Sequence, residues 1–445
     1  MSFFKQNTTD MTTGNPVRLI MTFAVPLFVG NVFQMFYNTV DTLVVGRFVG
    51  PGALAAVGGS GVSYNVMLTL INGFTSGAAV VIAQAFGAGD REGVRKGYAT
   101  SCIIIALTGI LFTLLGESLA GPLLRLLNTP GDVIADSLTY LHIMYGGILT
   151  ACLYNGLAAF LRAVGDSTTP LVGLIISSGL NIILDLVFVL YFGLGIAGVA
   201  AATVISQAVS GFYCLVQMHR HNPEFSIHRE SFIIDPAAAG EMIRIGVPTA
   251  FSTASVTISV MLLQRAINSY GSTVMAAYTT EEKVAQIFYC LSFSFGLAVG
   301  VFVGQNKGAR QYDRVQEGLY AGIRVSLLYH VTMAAIMLIF ARPLAGFFTT
   351  DGNVQMIAVE ILRITAWFAP VLGLVFVFQH FLRNVSFVTP TIWMSGAEIL
   401  SRGLFPVLLG SFYGYRGIWW ATPIGWILSL VIGILAWRSG KWEKT

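Results

Sequence analysis

The chain has 445 residues, of which 55% are hydrophobic and 10% charged, with a net charge of +4. A soluble domain carries about 25% charged residues, so this surface is not built to face water and its solvent is mostly lipid. Nothing in so mild a charge supports nucleic-acid binding.

The opening MSFFKQNTTDMTTGN is polar and lacks the apolar core of a cleavable signal peptide. The first hydrophobic helix is therefore expected to act as its own insertion signal. Twelve apolar runs follow, near 17–43, 53–84, 94–117, 133–160, 168–191, 196–218, 237–267, 273–304, 318–341, 354–382, 389–412 and 417–437. A membrane helix needs about 20 such residues, and these runs do not alternate as barrel strands would. Several exceed the minimum, so they tilt or extend beyond the bilayer. Sixteen basic residues, from Lys5 and Arg18 to Lys441 and Lys444, fall on the N-terminal side of the spans. Only Arg47, Arg125, Arg265, Arg342 and Arg416 fall on the other. That asymmetry predicts a multi-pass protein of a plasma (inner) membrane with both termini cytoplasmic.

The first span holds NVFQMFYNTVDTLVVG, residues 31–46. Asn31, Gln34, Asn38 and Asp41 lie within roughly 80° of one helical face. A polar stripe in a bilayer must face protein or water, because an ionised Asp near a helix centre costs roughly 2.5–3.5 kcal/mol on insertion scales. Alternatively, Asp41 is a helix-end residue, since Gly46 and Arg47 follow soon after. Pro26 lies mid-helix in TFAVPLFVG, where a proline kinks the chain and makes either a hinge or a static bend. The fourth span offers Tyr140. The fifth places Asn181 and Asp185 four apart on one face, Asp185 serving either a cavity or an ion pair. The sixth offers Thr203, Gln207 and Ser210. The eighth contains Glu281 and Glu282, either of which could attract cationic substrates, next to Lys283, which would neutralise one of them. The eleventh holds Glu398 and Arg402 four apart, spaced to pair structurally.

The chain is written twice. At an offset of 221 residues Gln84 lies over Gln305, Gly87 over Gly308, and Phe160-Leu161-Arg162 over Phe381-Leu382-Arg383. Small drifts place Pro26 near Pro248 and GVAAAT (198–203) over GIWWAT (417–422). The expected fold is therefore an all-α polytopic membrane protein with twelve transmembrane helices in two pseudo-symmetric six-helix bundles. Residues 1–218 form the N-terminal lobe, 219–236 a cytoplasmic linker and 237–445 the C-terminal lobe. The repeat puts Leu262 and Leu263 opposite Asp41, and Pro406 opposite Asp185. The acids are thus an addition to one half of a shared scaffold, which suggests binding of a proton or cation there.

The chain has no phosphate-binding loop ending in Lys-Ser/Thr, no nucleophile triad and no metal-spaced His or Cys set. No enzyme activity and no cofactor are expected.

Taken together, TTGNPVRLIMTFAVPLFVGNVFQMFYNTVDTLVVGRFVGPGALAAVG, VIAQAFGAGD, YLHI, LRAVGDSTTP and NIILDLVFV resemble the multidrug and toxic compound extrusion (MATE) transporters, in particular the prokaryotic DNA-damage-inducible type. The match covers nearly all of both halves. The resemblance implies an antiporter that exports lipophilic, cationic small molecules by alternating access, coupled to inward H⁺ or Na⁺, and working as a monomer in the bilayer. It implies a cation site in the N-terminal lobe at Gln34, Asp41, Tyr140, Asn181, Asp185 and Thr203, with Na⁺ candidates among Asp41, Asn181, Asp185 and Thr203. Bending at Pro26 would respond to protonation. The seventh span lacks the acids some relatives place there. Two close carboxylates in a low dielectric do not readily ionise together, so Asp41 and Asp185 are expected to act as a coupled pair. The alternative function is a flippase of lipid-linked oligosaccharides, whose phosphates call for a cationic cavity.

Overall fold

The computed structural model describes residues 8–126, 129, 131–221 and 234–445. Among these residues every regular element is helical. The helices of the first half are α1 (Pro16–Val44), α2 (Pro51–Gly87), α3 (Arg91–Leu126), α4 (Ile134–Gly146), α5 (Ile148–Ala163), α6 (Thr168–Leu186) and α7 (Gly195–His221). Those of the second are α8 (Pro236–Asn268), α9 (Ser272–Gly308), α10 (Tyr312–Phe348), α11 (Gly352–Asn384), α12 (Thr389–Tyr413), the single turn α13 (Tyr415–Ile418) and α14 (Ala421–Arg438).

Among the described residues eleven helices are long and apolar enough to cross a membrane, and the pair α4–α5, bent by 48°, makes twelve when taken as one span. The protein is a multi-pass membrane protein. Large apolar side chains such as Trp367 (71% exposed) stay on the outside, an arrangement that suits lipid rather than water. The bend in the fourth span is closely packed. A Cβ on Gly147 would stand 2.3 Å from the Val204 side chain of α7, so α7 reaches this turn only because the residue is glycine. The helices overrun the apolar windows read from the sequence. α9 has 37 residues, about 55 Å at 1.5 Å per residue, against a hydrocarbon core of about 30 Å. Polar residues continue the hydrogen-bonded ladder past the lipid.

The repeat is written into the backbone. Left-handed residues recur 221 positions apart: Gly50 with Gly271, Gly89 with Arg310, Gly165 with Ser386, and Gly193 with Gly414. Arg310 (φ 56°) and Ser386 (φ 58°) are the described non-glycine residues with positive φ, and each stands where the first half has glycine. The turn geometry is thus kept even where the residue suited to it is not.

The chain forms two compact units, Met1–Asp10 with Pro26–Ala250, and Met11–Val25 with Phe251–Thr445. This differs from a division at 219–236, a stretch that lies mostly outside the described residues. The boundaries fall instead inside α1 at Pro26 and inside α8 just after Pro248. Helices of 29 and 33 residues are long enough to have ends with different neighbours. The first unit packs around Ile71, Leu141, Met144, Cys152 and Val199. The second packs around Leu263, Met337, Leu362, Ala366 and Trp419.

Candidate cation site

Three helices of the first unit each bring two polar side chains one turn apart to the same place. α1 supplies Tyr37 and Asp41, α6 supplies Asn181 and Asp185, and α7 supplies Thr203 and Gln207. Residues four apart lie about 40° apart around a helix, so each pair points the same way. α4 adds Tyr140 and α2 adds Tyr64, both buried. Asn181 and Asp185 are 1% and 0% exposed.

The contacts are specific. Asn181 Nδ2 donates to Thr203 Oγ1 at 3.3 Å, and Thr203 Oγ1 donates to the Val199 carbonyl at 3.1 Å. The Tyr37 hydroxyl approaches Thr203, and the Tyr64 hydroxyl lies near Gln207 without a hydrogen bond to it. Tyr140 lies beside Asp41, Asp185, Tyr37 and Tyr64. The carboxyls of Asp41 and Asp185 are within hydrogen-bonding reach of each other. Asp41 Oδ1, both Asp185 oxygens, Asn181 Oδ1 and Gln207 Oε1 are buried with no donor among the described residues.

Five orphan acceptor oxygens in one cluster are costly unless something positive joins them. The charges of facing carboxylates repel, and a hydrogen bond between carboxyls requires a shared proton. No Lys, Arg or His of the described residues forms an ion pair with either acid. The set is all oxygen, which suits a hard cation such as Na⁺ or a proton shared between the acids.

Both acid-bearing helices widen just past the acid. α1 gives way to a π-helical turn at Val45–Val49, closed by Gly50 N–H donating to the Val45 carbonyl at 3.0 Å. α6 gives way to another at Val187–Tyr191, closed by Phe192 N–H donating to the Val187 carbonyl at 3.1 Å. Such turns hold an extra residue and are frequent at functional sites.

The structure brings together Asp41, Tyr140, Asn181, Asp185 and Thr203. It leaves out Gln34, which is exposed together with Asn38. The polar face of α1 is centred on Tyr37 and Asp41, at one edge of the amide stripe rather than along it. Tyr37, Tyr64 and Gln207 enlarge the set, and the signal for Tyr37 was its position one turn before Asp41. Pro26 lies within α1, which is assigned helical throughout Pro16–Val44.

In the second unit Glu281 and Glu398 are engaged. Glu281 is buried and accepts a hydrogen bond from Thr365 Oγ1 at 2.9 Å. Glu282 and Lys283 are exposed. Glu398 and Arg402 form a buried ion pair at 3.5 Å. Arg402 Nη1 donates to Ser259 Oγ at 2.7 Å, and Arg402 Nε donates to Thr422 Oγ1 at 3.4 Å.

A family model described as MatE matches residues 26–187 and 248–405 of this chain. The chain is 29% identical over 420 residues to the probable multidrug resistance protein YoeA of Bacillus subtilis (strain 168), covering 93% of this chain and 87% of that protein. It is 27% identical to the probable multidrug resistance protein YpnP of the same organism, covering 98% and 97%. Among solved structures, the outward-facing conformation of a multidrug resistance MATE family transporter of the MOP superfamily superposes with a TM-score of 0.90 at 21% identity, covering 98% of this chain and 99% of that one. At that identity the superposition speaks for the fold.

Proposed function

We propose that this chain, which belongs to the MatE family, is a multidrug efflux transporter rather than an enzyme. It exports lipophilic, cationic small molecules from a bacterial cell by alternating access, with both termini cytoplasmic. The driving force is inward flow of H⁺ or Na⁺ through the first unit. The naming of its relatives as multidrug resistance proteins supports the substrate class. The observation that carries the coupling is the cluster of orphan oxygens around Asp41 and Asp185.

In this mechanism the coupling ion neutralises the facing carboxyls. Asp41 and Asp185 supply the charge, and Asn181, Thr203 and Gln207 supply neutral oxygens. Tyr37, Tyr64 and Tyr140 wall the site with apolar rings and keep the local dielectric low. With the ion bound, α1 and α6 are drawn together at the level of the acids. The π turns after Asp41 and Asp185 take up the change in pitch, and Pro26 marks the place where α1 bends. An empty site returns to mutual repulsion, and the helices separate. The difference in ion affinity between the arrangements is the free energy available to expel the substrate. The protein acts as a monomer with no resident cofactor.

The test is efflux of a lipophilic cationic dye from proteoliposomes under separately imposed pH and Na⁺ gradients. One gradient is expected to drive efflux, and Asp41→Asn is expected to abolish that dependence. Gradient-driven efflux at the wild-type rate in Asp41→Asn would remove the site from the mechanism.

A further inference from the structure

The repeat lets the second unit be read against the first, residue by residue. Two contacts fix the register. A Cβ on Gly173 of α6 would meet Cys214 Sγ of α7 at 3.1 Å, and a Cβ on Gly433 of α14 would meet Met394 Cε of α12 at 3.2 Å. These are the same helix contact at offsets of 221 for α6/α12 and 219 for α7/α14, with large and small partners exchanged. A Cβ on Gly30 of α1 would meet Leu174 Cδ2 at 3.7 Å, and Ser252 Oγ of α8 lies against Ser395 Oγ. That pairing sets an offset of 222 for α1/α8, the offset of Pro26 from Pro248.

At these offsets Asn181 corresponds to Arg402, Thr203 to Thr422, Tyr37 to Ser259 and Asp41 to Leu263. One hydrogen bond corresponds as well: Asn181 donates to Thr203 at 3.3 Å, and Arg402 donates to Thr422 at 3.4 Å. The other partner changes, since Tyr37 approaches Thr203 in the first unit, whereas Ser259 accepts from Arg402 Nη1, the counterpart of Asn181, in the second. The carboxylate moves from α1 and the last turns of α6 to Glu398, one turn before Arg402 on α12.

We propose that Arg402 is a fixed internal cation, its guanidinium filling in the second unit the place that an external cation visits in the first. Glu398 is its counter-ion, and Ser259 and Thr422 are its neutral oxygen ligands. The second unit is thereby held in the arrangement that the first adopts only when loaded. Only one external cation site is then used per transport cycle, in the first unit. Arg402 is a positioning residue that ties α8, α12 and α14 together through charge.

For its meaning in transport, the proposal rests on the first unit's cluster being a cation site. Its main readout does not involve that cluster, so the failure of either reading is told apart from failure of the other. The full chain with Arg402→Ala is purified, and its melting temperature and dye efflux are titrated with guanidinium at low concentration, up to roughly 10 mM. Urea, the neutral molecule of the same shape, is titrated in parallel. Guanidinium is expected to raise the melting temperature saturably and to restore an efflux rate lowered roughly tenfold, with no effect of urea and no rescue in the wild type. Arg402→Lys is expected to keep efflux within roughly threefold of wild type, since it keeps the charge. Arg402→Met fills the space without charge and is expected to remain folded but slow. Equal effects of guanidinium and urea, no effect of either, or wild-type efflux in Arg402→Met would each overturn the proposal.

Discussion

In the first unit two carboxyls face each other among neutral oxygens with no basic partner among the described residues. In the second a carboxylate meets a guanidinium at 3.5 Å, while the position matching Asp41 is Leu263, 4% exposed. The scaffold is the same, down to the left-handed residues that recur 221 positions apart. Pseudo-symmetry therefore isolates the variable that differs: whether positive charge is built in or must arrive. Among the described residues the π-helical turns follow the same division, both directly beyond the unpaired acids. Where charge is supplied internally, the corresponding helices α8 and α12 are regular to their ends.

The largest expected effect tests that contrast directly. Asp41→Asn and Asp185→Asn each remove a charge that no basic side chain among the described residues pairs with. Each is expected to lower gradient-driven efflux by at least roughly tenfold, which corresponds to about 1.4 kcal/mol, while leaving the melting temperature unchanged or higher. Glu398→Gln removes a charge that something does neutralise. It strands Arg402, and the expected cost is about 3–5 kcal/mol of stability, read as a lowered melting temperature. Matching losses of stability in the variants of both units would erase the distinction.

The sequence disclosed this contrast only in part. The spans, the repeat and the acids Asp41 and Asp185 were legible because membrane burial forces apolar length and makes every intramembrane charge conspicuous. Gln34 was misplaced because amide spacing defines a stripe but not which edge of it turns inward. Tyr37 and Tyr64 passed as ordinary aromatic bulk in apolar runs. The π turns leave no composition signal, and the close approach at Gly147 involves Val204, a residue 57 positions away.

A sharper comparison uses a contact in which the two halves exchange volume. In the second unit His330 of α10 lies against Gly373 of α11, whose Cβ would fall 2.3 Å from the ring. His330 Nδ1 donates to the Ser326 carbonyl at 2.7 Å, and Nε2 accepts from Ser292 Oγ at 2.7 Å. The matching pair in the first unit is Gly109 on α3 and Cys152 on α5, with the small residue on the other helix. His330→Gly is expected to cost about 2–4 kcal/mol by leaving a void and freeing Ser292. Gly373→Cys alone is expected to cost about 1–3 kcal/mol by overpacking. The double variant rebuilds the first unit's arrangement, so its loss of melting temperature should be clearly smaller than the sum of the single losses. Strict additivity would mean that the contact is not shared between the halves.

The smallest effect probes the turns. Gly89 and Arg310 occupy the same left-handed position in the two copies, at φ 69° and 56°. Both are exposed, and a Cβ on Gly89 would meet nothing within 4 Å. Backbone conformation is thus nearly the only variable. Arg310→Gly should relieve the strain of a side chain in the left-handed region and raise stability by about 1 kcal/mol, and Gly89→Ala should lower it by a similar amount. Opposite shifts in melting temperature of comparable size are the expected outcome. Shifts of the same sign would show that the turns, though matched in backbone, are held by different forces in the two halves.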